Sequence, residues 1–495
     1  MRSFFVKNFG CRATQADGAA LERRLLGQGL SRAPDARQAE IVVLNSCTVT
    51  GAADQDVRNT IRRIHRQNPG AQILVTGCYA QRAPGELAAI EGVTWVVGNS
   101  HKHEVANLLR PGGSGGNFVP LEQIASPTLS PTAGDKDGPP RTTGDKGGPP
   151  TTTGSKGRAA TVLVGDIFAH TELLAAPVFD SGAEKTRPNL KLQDGCDNRC
   201  SFCVIPFVRG RNRSLPLEEA VREVNGLVDA GYREIVLSGI NLGRWGRELL
   251  GNDTFVGLLR AILERTSIER IRISSVEPMD WTDELIALVA ASPRIARHAH
   301  VPLQSGSDRV LRLMHRRYRP WHYAEKLRRI RAAMPEAAIG ADVMVGFPGE
   351  TEELFAENRR FIAELPFTYL HVFTFSARPG TPAATMKGQV APRVMKERNR
   401  VLRALAAGKN LAFRESFVGR ELSAITLHQG NEEFTEALSD NYLKVTLRGR
   451  HPANRMVEAH IEAIHGDGLL ACVETPEERA RTGGARPASG AARVL

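Results

Sequence analysis

The sequence predicts an α/β protein in three parts: an N-terminal open parallel α/β sheet, a central partial (β/α)6 barrel and a small C-terminal β-barrel. Three observations carry that reading. Short apolar runs alternate with amphipathic stretches over residues 1–110, six strand-like runs alternate with helical patterns after residue 186, and closely spaced short strands replace both from about 411. The expected boundaries are therefore 1–110, a low-complexity linker or insertion at 111–185, 186–410, 411–474 and a disordered tail at 475–495.

In the first part, Phe4-Phe5-Val6, Ile41 to Leu44, Gln72 to Val75 and Trp95-Val96-Val97 read as buried parallel strands. Asp17 to Leu30 and Asp54 to Gln67 read as the helices between them. Cys11, Cys47 and Cys78 each follow one of the first three strands. The carboxyl ends of strands in an open α/β sheet line its ligand crevice, so three cysteines distant in sequence are expected to converge there. One such cysteine would read as ordinary core, because free cysteine is among the most buried residue types. Three at equivalent strand ends read as ligands of a metal cluster.

Between the first two parts, Gly134 to Thr143 is nearly repeated as Gly144 to Thr153. Gly, Pro, Thr and charge without an apolar period cannot offset chain entropy by burial, so this stretch is expected to be a disordered linker or surface loop. Gly154-Ser155-Lys156-Gly157 lacks the residue order and strand–helix setting of a phosphate loop.

The central part carries the densest chemistry. In Gly195-Cys196-Asp197-Asn198-Arg199-Cys200-Ser201-Phe202-Cys203 three thiols sit on one loop. Iron–sulfur clusters normally take four thiolates, so a loop supplying three leaves one iron open to substrate. The alternative is a zinc knuckle lacking a ligand, whereas structural zinc sites are four-coordinate. The predicted strands are Lys191 to Gln193, Glu234 to Leu237, Arg270 to Ser274, His298 to Val301, Gly340 to Val345 and Tyr369 to Phe373. Helical patterns at 216–230, 253–267, 282–291, 321–334 and 351–364 alternate with them. Chemistry at a barrel's carboxyl-terminal mouth draws on strand ends. Here those ends are Ser238-Gly239-Ile240-Asn241, Ser275-Val276-Glu277, Gln304-Ser305-Gly306 and Gly346 to Glu350, expected to face the cysteine loop.

In the last part, strands are expected at Ser423 to Leu427, Glu433 to Leu438, Tyr442 to Leu447 and Met456 to Ile461. Arg448, Arg450 and Arg455 are candidate phosphate contacts, with solvated surface arginines as the plain alternative. Cys472 lies outside both triads. A net charge of +11, from 65 Lys+Arg against 54 Asp+Glu, favours a polyanionic partner such as RNA. An odd count of 7 cysteines argues against a disulfide framework and for a reducing cytoplasm. No apolar run reads as a membrane span or a signal peptide.

The residues Asn8-Phe9-Gly10-Cys11, Asn45-Ser46-Cys47-Thr48-Val49-Thr50, Thr76 to Gln81, Gln193 to Cys196 and Gly346 to Thr351 resemble the radical S-adenosylmethionine methylthiotransferases, over nearly everything except the linker and tail. Thr48-Val49-Thr50 makes the chain most similar to the branch that modifies threonylcarbamoyladenosine (t6A) beside the anticodon of tRNA. The resemblance implies that Cys196, Cys200 and Cys203 hold a 4Fe–4S cluster whose open iron chelates S-adenosylmethionine, and that Cys11, Cys47 and Cys78 hold an auxiliary 4Fe–4S cluster. It places Phe202 beside the adenine, Ser238, Gly239 and Asn241 at the methionine amino group, and Ser275, Glu277 and Gln304 as ribose and carboxylate contacts. A TRAM-like RNA-binding module, in which Ser439 to Tyr442 is the usual loop, is implied for the C-terminus. So are a tRNA substrate, a one-electron reductant such as flavodoxin or ferredoxin, and a cytoplasmic location without membrane attachment; no sulfur source is implied. The long linker departs from the family pattern. Sister branches acting on isopentenyladenosine in tRNA or on a ribosomal protein, and a non-catalytic metal-cluster protein that binds RNA, are the other readings.

Overall fold

The computed structural model describes residues 2–110, 160–171, 173–174, 186–249, 251 and 253–473. The expected low-complexity stretch up to residue 159 and the tail at 475–495 lie outside the described residues. The chain divides into two compact units. The first comprises residues 1–176, 194–213 and 376–385, and the second residues 177–193, 214–375 and 386–495.

The core of the first unit is a six-stranded, wholly parallel sheet in the spatial order Ser31–Arg32, Ser3–Asn8, Ile41–Ser46, Gln72–Gly77, Val93–Gly98, Thr161–Leu163. Its central strand reads Ile-Val-Val-Leu because both faces are covered. Val42 and Leu44 pack with Val57, Ile61 and Ile64 of helix Gly51–Gln67 on one side. Ile41 and Val43 pack with Leu21 and Leu25 of helix Arg12–Gly27 on the other, the alternation that pleating imposes. That helix starts at Arg12 rather than at Asp17, since Cys11 is extended (φ −79°, ψ 172°) and already caps it. Within the segment expected as linker over 111–185, Thr161–Leu163 forms the sixth strand, in register with Trp95 to Val97.

The second unit contains six parallel strands in chain order. Asn189–Lys191, Glu234–Ser238 and Arg270–Ile273 form one sheet, and His298–His300, Ala338–Val345 and Tyr369–Thr374 the next. Parallel bridges Ile271 to Ile295 and Ser275 to His300 join the two sheets. The helices Leu217–Asp229, Phe255–Arg265, Asp283–Ala291, Pro320–Ala333 and Glu352–Glu364 lie at the expected places. Thr254, Thr282 and Thr351 cap three of them through backbone N–H groups of Gly257, Leu285 and Leu354. This is the expected partial (β/α)6 barrel.

The expected boundary at 410/411 falls inside a helix, Pro392–Glu415, which leads into a closed five-stranded β-barrel. Four strands were expected. The fifth, Gly468–Cys472, closes the barrel by pairing parallel with Lys444–Arg448 and antiparallel with Met456–His465. Its short loop Ser439 to Tyr442 packs onto the parallel strands of the same unit. Wholly buried Glu234 accepts from Arg272 at 2.9 Å, and Arg272 also donates to the carbonyls of Ser439 (2.9 Å) and Asp440 (3.0 Å). The Tyr442 ring stands 4.6 Å from His298 and 5.7 Å from Tyr369.

Candidate cysteine-cluster site

Both cysteine triads belong to the first unit. The strand order places the topological switch between Ser3–Asn8 and Ile41–Ser46, the position where ligands bind in open α/β sheets. Cys11 stands three residues after the first of those strands, Cys47 follows the second directly, and Cys78 follows the next. Gly10 brings the first two together. Its φ is +91°, and a Cβ there would stand 2.6 Å from Cys47 Cβ and 2.7 Å from its Sγ. Ser46 Oγ donates to the Thr76 carbonyl at 2.5 Å and accepts from Ala80 N at 3.4 Å, locking the Cys47 and Cys78 turns side by side. Cys11 is exposed while Cys47 and Cys78 are buried. Burial, then the neighbouring Cys78, pushes the Cys47 thiol up to about 11. The Cys78 and Cys11 thiols both oppose ionisation of Cys47, a repulsion that a cluster iron among them would relieve.

The second loop is shaped by Gly195 (φ +72°), where a Cβ would overlap the Arg211 carbonyl. Cys196 N donates to the Gly210 carbonyl (3.0 Å) and Cys203 N to the Cys200 carbonyl (3.1 Å). Asn198 N–H points at Cys196 Sγ at 3.4 Å. Cys196, Cys200 and Cys203 are all partly exposed, and none of the described cysteines is in a disulfide. A three-thiol, part-open loop fits a cluster with one accessible iron. Phe202 belongs to this unit with them.

Sequence reading missed the ions packed around these loops. Arg209 holds both oxygens of Asp194 at 2.9 Å and reaches Asp17 at 3.1 Å, and Lys102 holds Asp17 at 2.9 Å. Beside Cys47, Thr48 Oγ1 donates to Asp54 at 2.6 Å, and Arg82 and Arg378 both converge on that pair. Asp17, Asp54, Arg82, Asp194 and Arg209 lie within seven residues of a cysteine, whereas Lys102 and Arg378 carry no local signal.

The other candidate residues stand in the second unit, at carboxyl ends of its parallel strands. Ser238 Oγ donates to the Leu190 carbonyl at 3.4 Å, Asn241 N donates to Gln193 Oε1 at 2.6 Å, and Gly239 packs on Gln193. Ser275 Oγ lies 2.6 Å from His300 Nδ1. Gln304 takes a left-handed conformation (φ +65°), its N–H donating to the Asp342 carbonyl at 2.8 Å. Glu277 is ion-paired with Arg316. Glu350 of the Gly-Phe-Pro-Gly-Glu run accepts from Gly346 N (2.6 Å) and Arg398 (2.8 Å), so it closes its own turn. An unforeseen triad lies between these strands. Asp342 Oδ1 is 3.5 Å from His300 Nε2 and 3.2 Å from His371 Nδ1, and the two imidazoles outweigh burial to hold its carboxyl below the usual range. Of the candidate phosphate contacts, Arg448 pairs with Glu462 (2.7 Å) and Arg450 with Glu432 (2.9 Å) at the surface, where such pairs contribute little.

The Radical SAM superfamily profile matches residues 190–362, and that of the Uncharacterized protein family UPF0004 matches residues 3–98. The chain is 36% identical to the threonylcarbamoyladenosine tRNA methylthiotransferase MtaB of Bacillus subtilis, over 91% of each chain. It is 34% identical to the protein of the same name in Aquifex aeolicus, over 92% of this chain and 99% of that one. A tRNA-2-methylthio-N(6)-dimethylallyladenosine synthase of Nocardioides sp. is 33% identical over 96% of this chain and 86% of its own. Among solved structures, the radical S-adenosylmethionine methyltransferase TsrM of Kitasatospora setae shares the fold, with a TM-score of 0.52 at 16% identity over 78% of this chain and 75% of that one.

Proposed function

We propose, from the premise that this chain belongs to the radical S-adenosylmethionine methylthiotransferase family, that it converts t6A beside the anticodon of tRNA to its 2-methylthio derivative. The observation that carries this is the end-to-end similarity to enzymes named for that reaction, at 36% and 34% identity. The dimethylallyladenosine synthases, at 33%, supply the second reading.

The enzyme uses two 4Fe–4S clusters and S-adenosylmethionine. When bound, these supply one-electron cleavage, sulfur and methyl chemistry, which side chains cannot offer at an adenine C2–H that is neither acidic nor attached to a leaving group. In our reading Cys196, Cys200 and Cys203 hold the cluster that binds S-adenosylmethionine. Asn198 N–H donates to Cys196 Sγ at 3.4 Å and helps to orient it. Phe202, Ser238, Gly239, Asn241, Ser275, Glu277 and Gln304 line the cosubstrate. Cys11, Cys47 and Cys78 hold the auxiliary cluster. The β-barrel module at 411–474 binds the tRNA, and a flavodoxin or ferredoxin delivers the electron. We place the enzyme in the cytoplasm, where thiols stay reduced. Among the described residues no helix is long and apolar enough to cross a membrane.

The test is purified, cluster-loaded protein with S-adenosylmethionine, dithionite and two tRNAs, one bearing t6A and one bearing isopentenyladenosine. Methylthiolation of the first alone supports the proposal; methylthiolation of the second alone overturns it in favour of the sister branch.

A further inference from the structure

Two hydrogen-bond chains lead from the N-terminal triad to the short helix Ile205–Arg209 that follows the CxxxCxxC loop. Thr14 Oγ1 lies 3.5 Å from Cys11 Sγ and accepts from Arg209 Nη2 at 3.4 Å. Asn99 Nδ2 lies 3.6 Å from Cys78 Sγ and donates to the Val208 carbonyl at 2.6 Å. Val204 and Val208 also pack directly on Cys78. Cys11 and Cys78 are thus each one side chain away from residues 208–209.

Arg209 is the hub of that junction. Its guanidinium grips Asp194, two residues before Cys196, at 2.9 Å to each oxygen, and Asp17, on the helix that Cys11 begins, at 3.1 Å. Lys102 closes the far side, donating to Asp17 at 2.9 Å and to Asn45 Oδ1 at 3.2 Å. Relative exposures are 1% for Arg209, 2% for Lys102, 2% for Asp17 and 6% for Asp194, so these charges act through protein rather than water. Burial alone would lower the Arg209 pKa, but Asp194, Cys78, Asp17 and Cys11 together raise it well above the ordinary value. Nη1 serves both Asp194 oxygens and Nη2 serves Asp17, so the two nitrogens of one planar guanidinium bridge the two carboxylates.

We propose that Arg209 is a positioning residue shared by the two cysteine sites. It fixes the segment after the CxxxCxxC loop against the N-terminal triad and, with Lys102, supplies the buried positive charge that raises the reduction potential of a cluster held by Cys11, Cys47 and Cys78. The inference rests on the reading of those three cysteines as cluster ligands. Reduction adds negative charge to the cluster, and a nearby buried cation stabilises that state; removing the cation leaves Asp17 and Asp194 in excess and drives the potential down.

The experiment is an EPR-monitored redox titration of the full-length, cluster-loaded protein on a Cys200→Ala background, so that the auxiliary cluster alone is read. Arg209→Gln is expected to keep its iron and titrate at a more negative potential. Arg209→Lys, which keeps the charge and loses the second nitrogen, is expected to stay near the parent value. Lys102→Gln removes the second cation, is expected to shift the same way, and carries the test if Arg209→Gln does not fold. Arg209→Gln or Lys102→Gln with full iron and the parent potential overturns the charge role. An iron content that Cys47→Ala does not reduce overturns instead the ligand reading beneath it, a separate and recognisable result.

Discussion

Gly10 and Cys200 test the two cysteine triads one residue at a time. Gly10→Ala puts a methyl group into Cys47 and asks a φ of +91° of a residue that avoids it. We expect iron content to fall from about eight to about four per chain, with the other cluster kept, as read by iron and sulfide assay. Cys200→Ala should abolish both S-adenosylmethionine cleavage and methylthiolation while leaving about four irons. Retained methylthiolation by that variant would refute Cys200 as a ligand. The cysteines were legible in the sequence because their spacing and their Gly and Asn neighbours are local. Arg209, Lys102 and Asp17 were not. They read as surface charges until residues 85 and 192 positions apart are brought into pairs, and pairing is what makes their burial tolerable.

At the scale of elements, the buried Glu234–Arg272 pair holds the loop Ser439 to Tyr442 of the β-barrel against the parallel strands. Arg272→Ala leaves Glu234 dependent on the more distant Arg270 (3.5 Å) and Arg187 (3.7 Å). The expected cost is on the order of 3 kcal/mol, measured by denaturant unfolding. Thr351→Ala removes a helix cap and should cost about 1 kcal/mol by the same measurement. A cost for Arg272→Ala as small as that of the cap would contradict the clamp. Strands such as Ile41–Ser46 were visible as apolar runs because both their faces are covered. Thr161–Leu163 was hidden, since three residues after a low-complexity stretch carry no period and are strand only by pairing with Trp95 to Val97. Helix Pro392–Glu415 was missed as well. Only a few of its residues, Leu402 and Ala406 among them, are buried, so it shows a thin apolar stripe between long charged faces.

For the whole molecule, a charge of +11 sets how tRNA should be held. Affinity for tRNA is expected to fall steeply and linearly on a log–log plot against salt, with Arg448→Ala and Arg450→Ala each shallowing the slope by about one phosphate contact. Slopes unchanged by both would leave those arginines as solvated surface pairs with Glu462 and Glu432. The three-part α/β plan was readable because each part has its own period. How the compact units divide was not, since residues 194–213 and 376–385 join the N-terminal sheet through contacts no local pattern encodes. Methylthiolation of t6A in tRNA is read by mass spectrometry of tRNA nucleosides from cells lacking this protein, with and without the gene restored. 2-Methylthio-t6A is expected to disappear and to return with the gene. An unchanged level of that nucleoside, with loss of 2-methylthio-isopentenyladenosine instead, would contradict it.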